Sequence, residues 1–154
     1  MIKTRKISYG ATAAVVTSMA LISGLSAASA TKSVIASALL IAAFADNMTD
    51  ALSIHIFQES EQLDTKEAFR GTITNFFTRL VLGISFVTLV ALLPLSFIVQ
   101  AAFIWGMLLL AILTYFVARE RNVKPLPEVL KHLVFTLVVI TVSMTLGHWI
   151  GRLL

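Results

Sequence analysis

Residues 45–61 read ADNMTDALSIHIFQESE, beginning inside a long apolar run and ending in a cluster of charges. Asp46, Asn47 and Asp50 fall where lipid would make polar side chains costly. Polar groups at such depth are rare, and by default they mark a functional site. The rest of the chain reads as the scaffold that holds this stretch.

Composition supports that reading. The chain has 154 residues, of which 58% are hydrophobic and 13% charged. A soluble domain carries about 25% charged residues, and the mean hydropathy here is +0.91. The length fits one domain, 1–154. The net charge of +4 does not point to nucleic acid, because the basic residues are scattered between apolar runs. There are no cysteines, which excludes disulfides, thiolate metal sites and cysteine nucleophiles.

Working outward from the polar stretch, five apolar runs cover residues 8–28, 33–58, 72–93, 96–117 and 128–151. Each is close to the ~20 residues that span a bilayer. In lipid every backbone polar group needs an internal partner, which helices provide, and the runs lack the alternation of barrel strands. The expected fold is therefore an all-α polytopic membrane protein with five transmembrane helices. The first run, with its basic arm MIKTRKI and the small-residue sequence SAASA, also has the pattern of a cleavable signal peptide. Its length favours an uncleaved span. Loops are expected at 28–32, 59–71 and 118–127. Pro94 closes the third span, and the prolines at 125 and 127 stop any helix from passing through the last connector.

With the N-terminus inside, Lys3, Arg5, Lys6, Lys66, Arg70, Arg119, Arg121, Lys124 and Lys131 are cytoplasmic, against Lys32 and Arg152 outside. This positive-inside bias places the N-terminus in the cytoplasm and the C-terminus outside. The expected location is an integral membrane one.

At about 100° per residue, Asp46, Asp50 and Ser53 share a narrow stripe that Glu61 continues. Asn47 and Gln58 lie at its edge, with His55 and Glu59 roughly opposite. Carboxylate, amide and hydroxyl oxygens suit hard or borderline cations such as Mn²⁺, Fe²⁺ and Mg²⁺. The candidate metal ligands are Asp46, Asp50, Asn47, Glu61 and, from the second face, His55. The competing reading is that these groups pair with neighbours inside the bundle. Arg79 bears on it directly. At 1.5 Å per residue it lies roughly 13 Å inside the third span, near the depth of Asp50, so an Asp50–Arg79 ion pair is expected to spare both an unpaired burial. That pair would leave Asp46 as the primary ligand. No lysine or arginine lies within twelve residues of Asp46. An unpaired carboxyl group at that depth is expected to keep its proton until a cation displaces it. His132 and His148 read as polar contacts rather than ligands. No HExxH, GxSxG or phosphate-binding loop occurs, so the chain does not read as an enzyme.

Four segments carry a resemblance: GLSAAS at 24–29, AFADNMTDALSIHIFQESE at 43–61, LLPLSF at 92–97 and GHWIG at 147–151. With these the chain resembles the vacuolar iron transporter (VIT) family in its short prokaryotic form. The resemblance implies a five-helix homodimer that exports Fe²⁺ or Mn²⁺ from the cytosol in exchange for protons. The cation is then cargo rather than a resident cofactor, and the other implied partner is the lipid bilayer. Asp46 falls at the family's mid-membrane acid, Ile54 at its Met, and Ser60 and Glu61 at its Ser-Glu pair. The chain departs from the family pattern at ISYG, where Tyr9 replaces an Asp. Of the Glu-rich cytoplasmic domain of plant-type members, only Glu59, Glu61, Asp64 and Glu67 remain. A non-transporting assembly or regulatory subunit that kept the fold is the alternative function.

The orientation can be tested by cysteine labelling, since no native thiol interferes. In oriented vesicles Asp64→Cys should react with a membrane-impermeant maleimide only from the cytoplasmic side. Reaction from the outside alone would invert the topology.

Overall fold

The computed structural model describes residues 4–60 and 65–153, with side chains described from residue 10 onward except those of residues 65, 67 and 68. The described chain forms α1 (Thr4–Ala27), α2 (Lys32–Ile41), a π-helical turn (Ala42–Asp46), α3 (Asn47–Ser60), α4 (Thr65–Leu92), α5 (Leu95–Glu120) and α6 (Pro125–Leu153). Helix α2, the π turn and α3 form one span, Lys32–Ser60. Together with Gly10–Ala27, Phe69–Leu92, Leu95–Glu120 and Pro125–Leu153 it makes five helices long and apolar enough to cross a membrane. The fold is all-α, as the apolar runs require.

The helix ends are cut by local chemistry. Helices α1 and α5 close in the same way, on a residue in the left-handed region, Ser29 (φ 62°) and Asn122 (φ 55°). Beyond each, the next backbone N–H returns to a carbonyl of the last turn: Ala30 to Leu25 at 2.9 Å and Val123 to Ala118 at 3.1 Å. This Schellman arrangement satisfies carbonyls that a helix end would otherwise leave open. Thr31 then caps α2, its hydroxyl accepting from Val34 N–H at 3.4 Å. Pro94 separates α4 from α5 in extended geometry. Pro125 opens α6 at its first position, where a missing N–H costs nothing.

Two connectors are shorter than hydropathy predicts. Residues Thr65–Gly71 belong to α4, and Glu59 and Ser60 to α3, so the expected loop at 59–71 is largely helical. The sequence TKEAFR is polar but contains good helix formers and no breaker; leaving the apolar layer does not end a helix. Similarly, α5 runs on to Glu120 and α6 starts at Pro125, which confines the last connector to 121–124.

Helix α1 is the central element, packed against α4, α5 and α6 and touching α2. Its Val15, Met19 and Ile22 meet Ile35 and Leu39 of α2, Phe86 and Val90 of α4, Ile98, Ala102 and Leu110 of α5, and Ile140 of α6. The outward faces carry Ile41, Phe44, Ile104, Phe135 and Trp149, all exposed. Such a girdle suits contact with lipid tails. Lipid offers helices no hydrophobic drive to associate, so close packing at small residues has to supply it. A Cβ on Gly147 of α6 would collide with the carbonyl oxygen of Gly24 in α1, and one on Gly106 of α5 would collide with the Met19 thioether. Polar ties join other pairs. Lys32 Nζ donates to the Ala91 carbonyl at 2.8 Å, occupying an acceptor in the last turn of α4. Trp105 Nε1 donates to Ser85 Oγ at 3.1 Å, linking α5 to α4.

These two glycines should respond differently to a methyl group. Gly147→Ala meets backbone, which cannot step aside, and should cost about 1–3 kcal/mol. Gly106→Ala meets the flexible end of Met19 and should cost less. Thermal unfolding of the two variants in mild detergent measures the difference, and equal losses would contradict the packing described.

Candidate functional site

The polar stretch is built on a local change of helix type. Five residues, Ala42–Asp46, take the π form, and Asn47 N–H bonds back to the Ala42 carbonyl. A π turn inserts an extra residue into the ladder and occurs disproportionately at functional sites. It also changes the angular relation between residues upstream and downstream of it, which a uniform 100° step does not anticipate. Asp46 is the last residue of this turn, and its side chain is exposed on the outer side of the span.

Downstream, α3 lies along α4. Asn47 and Ala51 are buried on that side, and Ile54 and Gln58 are half-buried. Asn47 is only 1% exposed and donates through Nδ2 to the Phe76 carbonyl at 2.8 Å. That bond fixes the amide orientation, because the reverse would set two carbonyl oxygens against each other. It also leaves Asn47 Oδ1 buried with no partner.

Asp50 faces α4 as well, and its Oδ2 forms an ion pair with Arg79 Nη1. The expected pairing is therefore present. Its two members differ in surroundings, Arg79 being 6% exposed and Asp50 42%. The contact is one of charge; neither Nη1 nor Nε of Arg79 has an aligned hydrogen bond. One turn before Arg79, Asn75 is 1% exposed and both of its amide atoms lack partners. A Cβ on Gly10 would collide with Asn75 and Arg79, so the bare backbone of α1 closes the third side of this cluster. Few buried polar atoms in folded proteins lack partners, and those that do invite an explanation such as a bound water or ion.

Beside this cluster lies a cavity of about 20 Å³, lined by Thr17 and Ser18 of α1, Ala42, Ala43 and Asp46 of the π turn, Asn47, and Arg79 and Gly83 of α4. That volume holds one water-sized occupant. The wall offers hydroxyl, carboxylate and amide oxygens, a donor set of the kind hard cations take. It also carries the Arg79 guanidinium, which favours an anion or a polar neutral occupant.

The five candidate ligands are thus not gathered into one shell. Asp46 and Asn47 share the cavity, while Asp50 is engaged by Arg79. His55 lies further along α3, where its Nε2 sits 3.4 Å from Glu59 Oε1. Glu61 lies outside the described residues. Hydroxyls of the stripe turn back onto their own helix, Ser53 Oγ donating to the Thr49 carbonyl at 3.0 Å and Ser60 Oγ to the Phe57 carbonyl at 2.7 Å. Among the described residues no three His, Asp or Glu side chains converge on a point that could hold a metal ion. Sequence reasoning passed over Asn75. Its signal was its place four residues before Arg79, on the same helix face. The π turn has no comparable signal.

Compared with protein-family models, curated proteins and solved structures, the chain matches none.

The Asp50–Arg79 pair makes a quantitative prediction. Arg79→Ala leaves a partly exposed carboxylate without its counter-charge and should destabilise the bundle by about 1–3 kcal/mol, between the values for exposed and buried pairs. Asp50→Asn with Arg79→Gln removes both charges and should recover much of that loss. A thermal-unfolding double-mutant cycle measures the coupling, and strict additivity would show that the two side chains act independently.

Proposed function

We propose that this chain carries a divalent cation, Fe²⁺ or Mn²⁺, across the membrane in exchange for protons, as a homodimer, with Asp46 as the central ligand. The observation that carries this reading is the position of Asp46. It ends a π turn in the middle of a span, borders an oxygen-lined cavity, and has no ion-pair partner among the described residues. A divalent cation needs two carboxylates for neutrality, so a pair of Asp46 side chains from two copies would give up two protons for each cation bound. That exchange couples cation movement to proton movement.

One chain supplies too few ligands for tight binding. Asp46 is exposed on the outer side of its span, so a second copy facing it would bring a second carboxylate and shield both from lipid. Asn47 Oδ1, already desolvated and unpartnered, would be the next oxygen. Asp50 would act indirectly, by offsetting the charge of Arg79 at the cavity wall. The resemblance to vacuolar iron transporters agrees with this assignment. It also agrees with a prokaryotic inner membrane and a cytoplasmic N-terminus.

A specific observation favours the alternative of a non-transporting assembly or regulatory subunit. Arg79 borders the same cavity as Asp46, and a buried guanidinium opposes cation entry. On that reading the polar cluster only fixes the packing of α1, α3 and α4.

Mn²⁺ uptake by proteoliposomes separates the two readings. The parent chain should carry Mn²⁺ and move protons in the opposite direction. Asp46→Asn retains size and an oxygen but loses the charge, and should abolish flux while the protein keeps its unfolding temperature. Undiminished flux in Asp46→Asn would remove Asp46 from the mechanism. A parent chain without flux of either cation would establish the subunit reading.

A further inference from the structure

On another face of α1, that helix, α5 and α6 surround an open cleft of about 900 Å³. This is within the 300–1,000 Å³ of typical ligand clefts. Its body is apolar, formed by Val16, Leu110, Leu113, Val117 and Phe135. Its mouth is polar and lies where α5 ends and α6 begins, with Arg121, Glu128 and Lys131 at the rim. Arg121 Nη1 and Lys131 Nζ each stand 3.8 Å from Glu128 Oε2, one carboxylate between two cations. The rim therefore keeps a net positive charge; nearby, Arg119 and Glu120 at the end of α5 offset each other and the connector adds Lys124. Both basic side chains at the rim are largely exposed and free to turn toward a stronger anion.

We propose that this cleft binds one anionic phospholipid, its phosphate between Arg121 and Lys131 and an acyl chain along Leu113 and Val117. The reasoning is complementarity of both ends. The apolar body lies within membrane-spanning segments, so its natural occupant is a hydrocarbon chain rather than water. The basic mouth lies at the ends of those segments, at the level of lipid head groups, where basic pockets between helices take anionic heads. Glu128 is the specificity element. It holds the two cations in place when the cleft is empty and competes with the phosphate when it is filled. The proposal is independent of the transport reading, since the cleft shares no residue with the polar cluster other than Thr17 at its deep end.

Native mass spectrometry of the full chain, loaded with equal phosphatidylglycerol and phosphatidylcholine, tests the proposal. Phosphatidylglycerol should be retained preferentially. Arg121→Ala with Lys131→Ala should weaken its retention about thirtyfold, from the energy of two basic contacts near a membrane surface. Glu128→Gln removes the competitor and should strengthen it about fivefold, an increase that a purely structural role for Glu128 would not produce. Phosphatidylcholine retention should change little in either variant. Equal retention of the two lipids, or phosphatidylglycerol binding indifferent to the rim variants, would overturn the proposal. So would efficient disulfide formation between two copies of Leu113→Cys, which would make the cleft an interface between subunits.

Discussion

A peptide group that cannot reach water must find its hydrogen-bond partner within the protein, and in hydrocarbon each group left open costs several kcal/mol. The rest of this structure follows from that constraint. It makes each apolar run a helix. It closes α1 and α5 by returning the Ala30 and Val123 N–H groups to the Leu25 and Ala118 carbonyls, and it gives a carbonyl in the last turn of α4 the Lys32 ammonium as donor. It also bears on the π turn at Ala42–Asp46, whose backbone stays bonded internally, with Asn47 N–H reaching back to Ala42. An irregular segment is tolerated at that depth because its backbone bonding survives the change of period.

The side chains obey a weaker form of the same rule. Helices in lipid gain nothing from burying leucine against leucine, so approach is left to glycine, alanine and serine, as where Gly24 meets Gly147. The polar cluster of Asn47, Asp50, Asn75 and Arg79 then joins α3 to α4 through one amide–carbonyl bond and one ion pair. A buried ion pair is poor evidence for stability in itself, because desolvation offsets attraction. It is better evidence for register: α3 has one position along α4 at which Asp50 meets Arg79 and Asn47 meets the Phe76 carbonyl. In that register Asp46 stays exposed while bordering the cavity between α1 and α4.

Two cavities beside α1 divide the chemistry. The interior cluster is small, partly unpartnered and walled by oxygen-bearing side chains and Arg79, which suits one water-sized species. The cleft of α1, α5 and α6 is large and open, with charge only at its mouth, which suits an amphiphile. Helix α1 borders both, and from Gly10 to Ala27 it carries no bulky polar residue, which lets it serve as the common wall.

By itself the sequence determined the fold class, because apolar length alone dictates helices in lipid. It also located the breaks at Pro94 and Pro125, where proline chemistry is local, and it paired Asp50 with Arg79, because equal depth and opposite charge leave few other partners. Polarity was a poor guide to helix ends: Thr65–Gly71 left the apolar layer yet stayed helical. Only the tertiary structure decided which members of the polar stripe meet. A regular period groups Asp46, Asp50 and Ser53, whereas packing against α4 draws Asn47 and Asp50 inward and leaves Asp46 and Ser53 exposed. The π turn and the approach of Gly10 to Asn75 depend on contacts between residues far apart in the chain. No window of neighbouring residues encodes them, because their energy lies in the fit of one helix against another.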